Sequence, residues 1–153
     1  MGILALTAIA ASVTWRHSNR LPLPVLLAAV TGGLLLNVAV KHAVQLPRPD
    51  WGYALQALET YSFPSGHTES AMLFYGIVVV WLWPCMRGVG ARIALLIAVM
   101  SMVGLVAASR IVLGVHFIDD CMAAVVEAGA RLTICLSGAP RSIAISSPQV
   151  GEP

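Results

Sequence analysis

Charge is what this chain most lacks. Of its 153 residues only 10% are Asp, Glu, Lys or Arg, 58% are hydrophobic, and the mean hydropathy is +0.84, whereas a soluble globular domain carries roughly 25% charged residues. That deficit excludes a soluble domain and points to an integral membrane protein. The formal net charge is +2, and the basic residues are scattered instead of forming a stripe, so no nucleic-acid surface is implied. Cysteine is scarce as well. Cys85, Cys121 and Cys135 lie in or beside apolar runs, with no C-x-x-C pair and no His/Cys metal spacing. They read as small buried hydrophobes, neither disulfides nor ligands. There is no internal repeat.

What the chain does have is apolar runs. Gly2 to Trp15 is short for a span, which needs about 20 apolar residues. No basic segment precedes it and no clear cleavage site follows, so it reads as a membrane helix and not a signal peptide. Whether this helix is native or truncated is left open. A polar connector, Arg16 to Arg20, leads to a second span, Leu21 to Val40, in which Gly32 and Gly33 offer a close-packing surface and Asn37 an interhelical hydrogen bond. Gly66 to Cys85, Arg92 to Ala108 and Phe117 to Leu136 complete five spans. Met100 and Met102 read as packing residues. The last span is interrupted by Glu127 and Arg131, whose i, i+4 spacing suits a neutralising pair. From Ser137 onward the Ser, Pro and Gly content predicts a disordered tail over 137–153. The expected fold is therefore all-α: one membrane-embedded helix bundle over 1–136, with a catalytic core over about 21–136.

Two polar stretches break this pattern. Residues 41–65 hold Lys41, His42, Arg48, Asp50 and Glu59, and Trp51 to Leu58 suits a short interfacial helix. Residues 109–120 carry Arg110, His116, Asp119 and Asp120 between two apolar segments. Ionisable groups near a bilayer are costly and point to a functional site, although this stretch alone leaves a solvated helix end equally open. On a helix, His116 and Asp120 share one face, where the carboxylate orients the imidazole, while Asp119 points about 100° away. With five spans, residues 16–20, 86–91 and 137–153 fall on one side with most of the arginines, which the positive-inside rule makes cytoplasmic. The two polar stretches face the opposite side, as extracytoplasmic loops.

These loops contain three groups: Lys41 with Arg48-Pro49, Pro64-Ser65-Gly66-His67, and Ser109-Arg110 with His116 and Asp120. Written K-x6-R-P, P-S-G-H and S-R-x5-H-x3-D, they resemble the three signature motifs of the type 2 phosphatidic acid phosphatase superfamily, which also includes vanadium-dependent haloperoxidases and glucose-6-phosphatase. The resemblance covers residues 21–136. Membrane members of that family carry one span more than the five counted here, and the difference falls at the N-terminal end.

The residue types fit phosphate-ester hydrolysis, one of the slowest uncatalysed reactions, which needs anion stabilisation, a nucleophile and an acid. Lys41, Arg48 and Arg110 give positive charge for the phosphoryl oxygens. Ser65 and Gly66 lie at a helix N-terminus, itself an anion site. His116, oriented by Asp120, is the expected nucleophile, and His67 the general acid. The resemblance implies the same roles, with a phosphohistidine intermediate. No metal or other cofactor is expected, since the cationic side chains take the role magnesium has elsewhere. His42 and His17 read as interfacial or surface residues, and Glu69 as a group near the substrate channel.

The expected function is a membrane phosphatase acting on a lipid phosphate or diphosphate, such as phosphatidic acid, phosphatidylglycerol phosphate or an isoprenyl diphosphate. The expected location is a bacterial-type inner membrane with the site facing the periplasm. The partners implied are the lipid substrate and membrane lipids, with no nucleic acid, and homo-oligomerisation is left open. A catalytically inactive scaffold or binding protein of the same descent is the alternative, and a vanadate haloperoxidase a third reading that gains nothing from five apolar spans.

Overall fold

The computed structural model describes residues 23–50 and 60–137. The first expected span, the connector with His17, the Trp51 to Leu58 segment and the tail over 138–153 lie outside the described residues. Among the described residues four α-helices follow in order: α1, Leu23–Val44; α2, Gly66–Leu82, continued by the 3-10 turn Trp83–Cys85; α3, Val89–Val112; and α4, Ile118–Ser137. No strand occurs among the described residues.

The other three helices all pack against α2. Small residues allow the approach. A Cβ on Gly76 of α2 would lie 2.5 Å from Leu132 Cδ2 of α4, and one on Gly33 of α1 would lie 2.6 Å from Arg131 Nη1 and 2.9 Å from Leu73 Cδ1. Gly33 therefore carries the close packing expected of the Gly32-Gly33 pair, while Gly32 faces open space. The interior is filled by Leu73 and Ile77 of α2, Val99 and Val103 of α3, and Cys121, Ala124 and Ala128 of α4.

Most of α3 is apolar yet faces outward, with Ile93, Leu96, Ile97, Met100, Met102 and Leu105 all exposed. A soluble protein buries such a helix; an outward apolar surface belongs in lipid. Gly66–Cys85 and Val89–Val112 are long and apolar enough to cross a bilayer, and Ala29–Val44 is a shorter apolar helix. Met100 and Met102 are thus lipid-facing, not packing residues, and Cys85 is exposed where a buried hydrophobe was expected. In α4 Asp120, Glu127 and Arg131 turn toward the bundle while Ile118, Met122, Val126 and Ile134 turn out, so Glu127 and Arg131 do not interrupt the helix.

Two helices run past their expected ends. α1 continues to Val44, which moves Lys41 and His42 from the loop onto its last turn. It closes where Gln45 adopts φ +52° and donates its N–H to Lys41 O at 2.9 Å, a left-handed C-terminal cap. α3 extends beyond Arg92 to Ala108 at both ends and so carries Arg110 in its last turn. There a Schellman turn forms: Gly114 takes φ +70°, Gly114 N–H reaches Ile111 O at 2.9 Å, and Val115 N–H reaches Arg110 O at 3.2 Å. The residues between Arg110 and His116 are this turn, and it sets where the histidine emerges.

Candidate active site

His116 follows the Schellman turn and Asp120 sits in the first turn of α4. The distance from His116 Nδ1 to Asp120 Oδ2 is 3.3 Å, and both side chains are buried, at 4% and 0% exposure. Asp120 Oδ2 also accepts from Phe117 N–H at 2.8 Å and from the Ser62 hydroxyl. The Phe117 bond is the return half of a capping box, so one carboxylate both starts α4 and holds the imidazole. Asp120 Oδ1 is buried without a hydrogen-bond partner among the described residues; the hydrogen bonds with His116, Ser62 and the Phe117 N–H offset the burial of this carboxylate.

On the other side of the ring, Arg48 Nη1 stands 3.4 Å from His116 Nε2. A guanidinium only donates, so Nε2 presents its lone pair and Nδ1 carries the proton toward Asp120. Arg48 is itself held by Val115 O at 2.8 Å, Thr60 O at 2.7 Å, Thr60 Oγ1 at 2.9 Å and Tyr61 O at 3.3 Å. All five of its N–H donors are engaged. Burial lowers the Arg48 pKa from its ordinary value and the Asp120 carboxylate opposes that; an arginine stays charged throughout.

Lys41 is similarly occupied. Its Nζ donates to Tyr61 O at 2.9 Å, Ser62 O at 3.1 Å and Pro64 O at 2.7 Å, the full complement of an ammonium. In this structure Lys41 and Arg48 brace the 60–64 segment as well as supplying positive charge. Arg110 differs: its Nε donates to Ser109 Oγ at 3.2 Å, and among the described residues no acceptor is seen at its Nη groups. Of the three cations expected to receive an anion, Arg110 is the open one.

The N-terminus of α2 completes the cluster. Ser65 is its N-cap, but its N–H is not the anion donor expected. Its N–H is spent on Asp120 O at 3.1 Å, tying α2 to α4, and its hydroxyl pairs with Thr68 Oγ1 at 3.0 Å. The first intrahelical bond is Glu69 N–H to Ser65 O, so the N–H groups of Gly66 and His67 precede the helical ladder and remain as anion donors. Gly66 is tight against Asn37, whose Oδ1 lies 3.4 Å from where a Cβ would stand. Asn37 is buried between α1 and α2, where its side-chain amide lies beside the Glu69 carboxylate. His67 is exposed, and the charges of Arg110, His116, Arg48 and Lys41 act on its ring.

The remaining candidates separate. His42 is exposed and meets Tyr61 edge-on at 6.0 Å, and Asp119 is exposed while Asp120 is buried. Glu69 does not face a channel. It is buried and accepts from Arg131 Nη1 at 3.1 Å, while Arg131 Nη2 reaches Glu127 at 2.9 Å, so the expected pair is a triad. Sequence reasoning also missed Thr60, Ser62 and Thr68. The run of hydroxyls just ahead of Pro64 was the available signal for Ser62 and Thr60; the backbone carbonyls that hold Lys41 leave no residue-type signal at all.

The architecture and site define a class: a membrane helix bundle that gathers a carboxylate-held histidine, a second histidine and three cations at one end. The chain belongs to the PAP2 superfamily, whose family model matches residues 22–143. It is similar to phosphatidylglycerophosphatase B of Bacillus subtilis (strain 168), 29% identical over 89 residues, which are 58% of this chain and 43% of that protein. The match thus spans less than half of that relative's length. Its fold is that of the crystal structure of a transmembrane PAP2 type phosphatidylglycerolphosphate phosphatase from Bacillus subtilis, with a TM-score of 0.78 and 24% identity over 88% of this chain and 67% of the other.

Proposed function

We propose that this chain is a metal-independent membrane phosphatase that hydrolyses a lipid phosphate or diphosphate through a phosphohistidine intermediate. The observation that carries the reading is the placement of His116, with Asp120 at Nδ1 and Arg48 at Nε2. This fixes a neutral tautomer with the Nε2 lone pair directed at the cationic cluster.

In the first step Nε2 attacks phosphorus, an N–P bond forms and the bond to the leaving oxygen breaks. Positive charge developing on the ring is stabilised by Asp120. His67 donates its proton to the leaving oxygen, giving an alcohol or, from a diphosphate, a lipid monophosphate. In the second step His67 takes a proton from water, the water oxygen attacks phosphorus, and the N–P bond breaks to release inorganic phosphate. The equatorial oxygens are held by Arg110 and by the Gly66 and His67 N–H groups, while Arg48 and Lys41, whose donors are engaged, supply a fixed positive field without reorganising. A lipid substrate is supported by the outward apolar helices and by the named activity of the relatives. The arginine distribution supports a site facing the periplasm of a bacterial inner membrane.

The test is phosphate release from a panel of lipid phosphates and diphosphates in detergent with EDTA present. Turnover should persist in EDTA and fall by roughly 10³-fold or more in His116→Ala. Equal release by the mutant, or none from a folded wild type across the panel, would refute the reading.

A further inference from the structure

At the end of α2 remote from the histidines lies a second feature that the phosphatase chemistry does not use. Ser65 and Trp83 bracket the 17 residues of α2, so at 1.5 Å per residue this end is about 25 Å from the site. Here Pro84 closes the α-helix into the 3-10 turn Trp83–Cys85, and Gly88 at φ +89° reverses the chain into α3. The break leaves an open groove of about 440 Å³ between the helices, lined by Val79, Val80, Trp83, Pro84 and Leu96.

Its walls are apolar, but its rim is cationic. The Arg92 guanidinium lies 5.0 Å from the centre of the Trp83 ring, a cation–π contact that holds the charge beside the groove. Arg87 sits on the turn between the two helices. No Asp or Glu occurs anywhere between Glu69 and Asp119, and among the described residues neither arginine enters an ion pair. An apolar channel with uncompensated positive charge and an aromatic ring at its mouth matches one kind of bilayer component: an acyl chain joined to an anionic headgroup.

We infer that the groove between the end of α2 and the start of α3 binds an anionic phospholipid, its acyl chain against Val79, Val80 and Leu96 and its headgroup phosphate at Arg92 and Arg87. The site is distinct from the reactive one and needs no hydrolysis.

The probe is phosphatidylserine, a phosphodiester without a terminal phosphate, competed against phosphatidylcholine of the same chains. Retention by the intact protein is read by native mass spectrometry. Wild type should retain phosphatidylserine over phosphatidylcholine by about fivefold per engaged arginine. Arg92→Gln and the groove-filling Leu96→Trp should lose the preference, while Arg110→Gln at the other end keeps it. No preference in wild type, a preference untouched by Arg92→Gln and Leu96→Trp, or one abolished only by Arg110→Gln would overturn the inference; the last would assign the lipid to the histidine end. Because the readout is binding alone, it stands whether or not the chain releases phosphate.

Discussion

Replacing Arg131 by methionine should be among the most destabilising single changes in the bundle. The side chain joins α4 to α2 through Glu69 at 3.1 Å and caps Glu127 at 2.9 Å, with Arg131, Glu69 and Glu127 only 12%, 4% and 20% exposed. Methionine fills much of the space but leaves the Glu69 carboxylate in an apolar interior without its counter-charge. Removing one partner of a buried ion pair costs about 3–5 kcal/mol, whereas replacing every member by apolar residues of similar volume is often neutral or stabilising. A domain of this size holds roughly 5–15 kcal/mol in all, so the single variant should lose about a fifth or more of it. The triple variant Arg131→Met, Glu69→Met, Glu127→Leu should recover most of that loss. The assay is reversible unfolding in mixed detergent micelles, with the single and triple variants compared with wild type. If Arg131→Met unfolds within about 1 kcal/mol of wild type, or the triple variant is no more stable than the single, the triad is not a buried network and the reasoning fails.

Two further predictions concern the geometry around the histidine. Gly114→Ala places a Cβ at φ +70° in the Schellman turn and should cost about 1 kcal/mol of unfolding free energy; because this turn sets the spacing of Arg110 and His116, phosphate release should fall further than the stability loss explains. Asp120→Asn keeps the shape of the side chain but removes the charge that holds Nδ1–H and stabilises the imidazolium; kcat should drop by about 10²–10⁴ with KM nearly unchanged, and a wild-type kcat would remove Asp120 from the mechanism.

The candidate site residues that cluster in the structure could be singled out in the sequence because ionisable groups stand out against an apolar background, and each carries its cost in the bilayer as a signal. His116 and Asp120 could be paired from their i, i+4 spacing, although His116 precedes α4 and only Asp120 lies on it, and the Gly114 turn accounts for the separation of Arg110 from His116. What the apolar background concealed was direction. In a soluble protein the hydrophobic stripe of a helix points to the core, but in a membrane both faces are apolar and the pattern does not separate interior from lipid. Met100, Met102 and Cys85 were misplaced for this reason.

Composition and motif order therefore determined the class of environment, the helices and the chemical groups of the site, since those depend on residue type and local spacing. Tertiary structure decided the partners: the carbonyls that occupy Lys41 and Arg48, the Ser62 hydroxyl on Asp120, and the Glu69–Arg131 bond across 62 positions of chain. Each is a contact between segments brought together by packing on α2. A backbone carbonyl is the same at every residue, so no reading of side chains along the chain distinguishes the few that end up facing a buried cation.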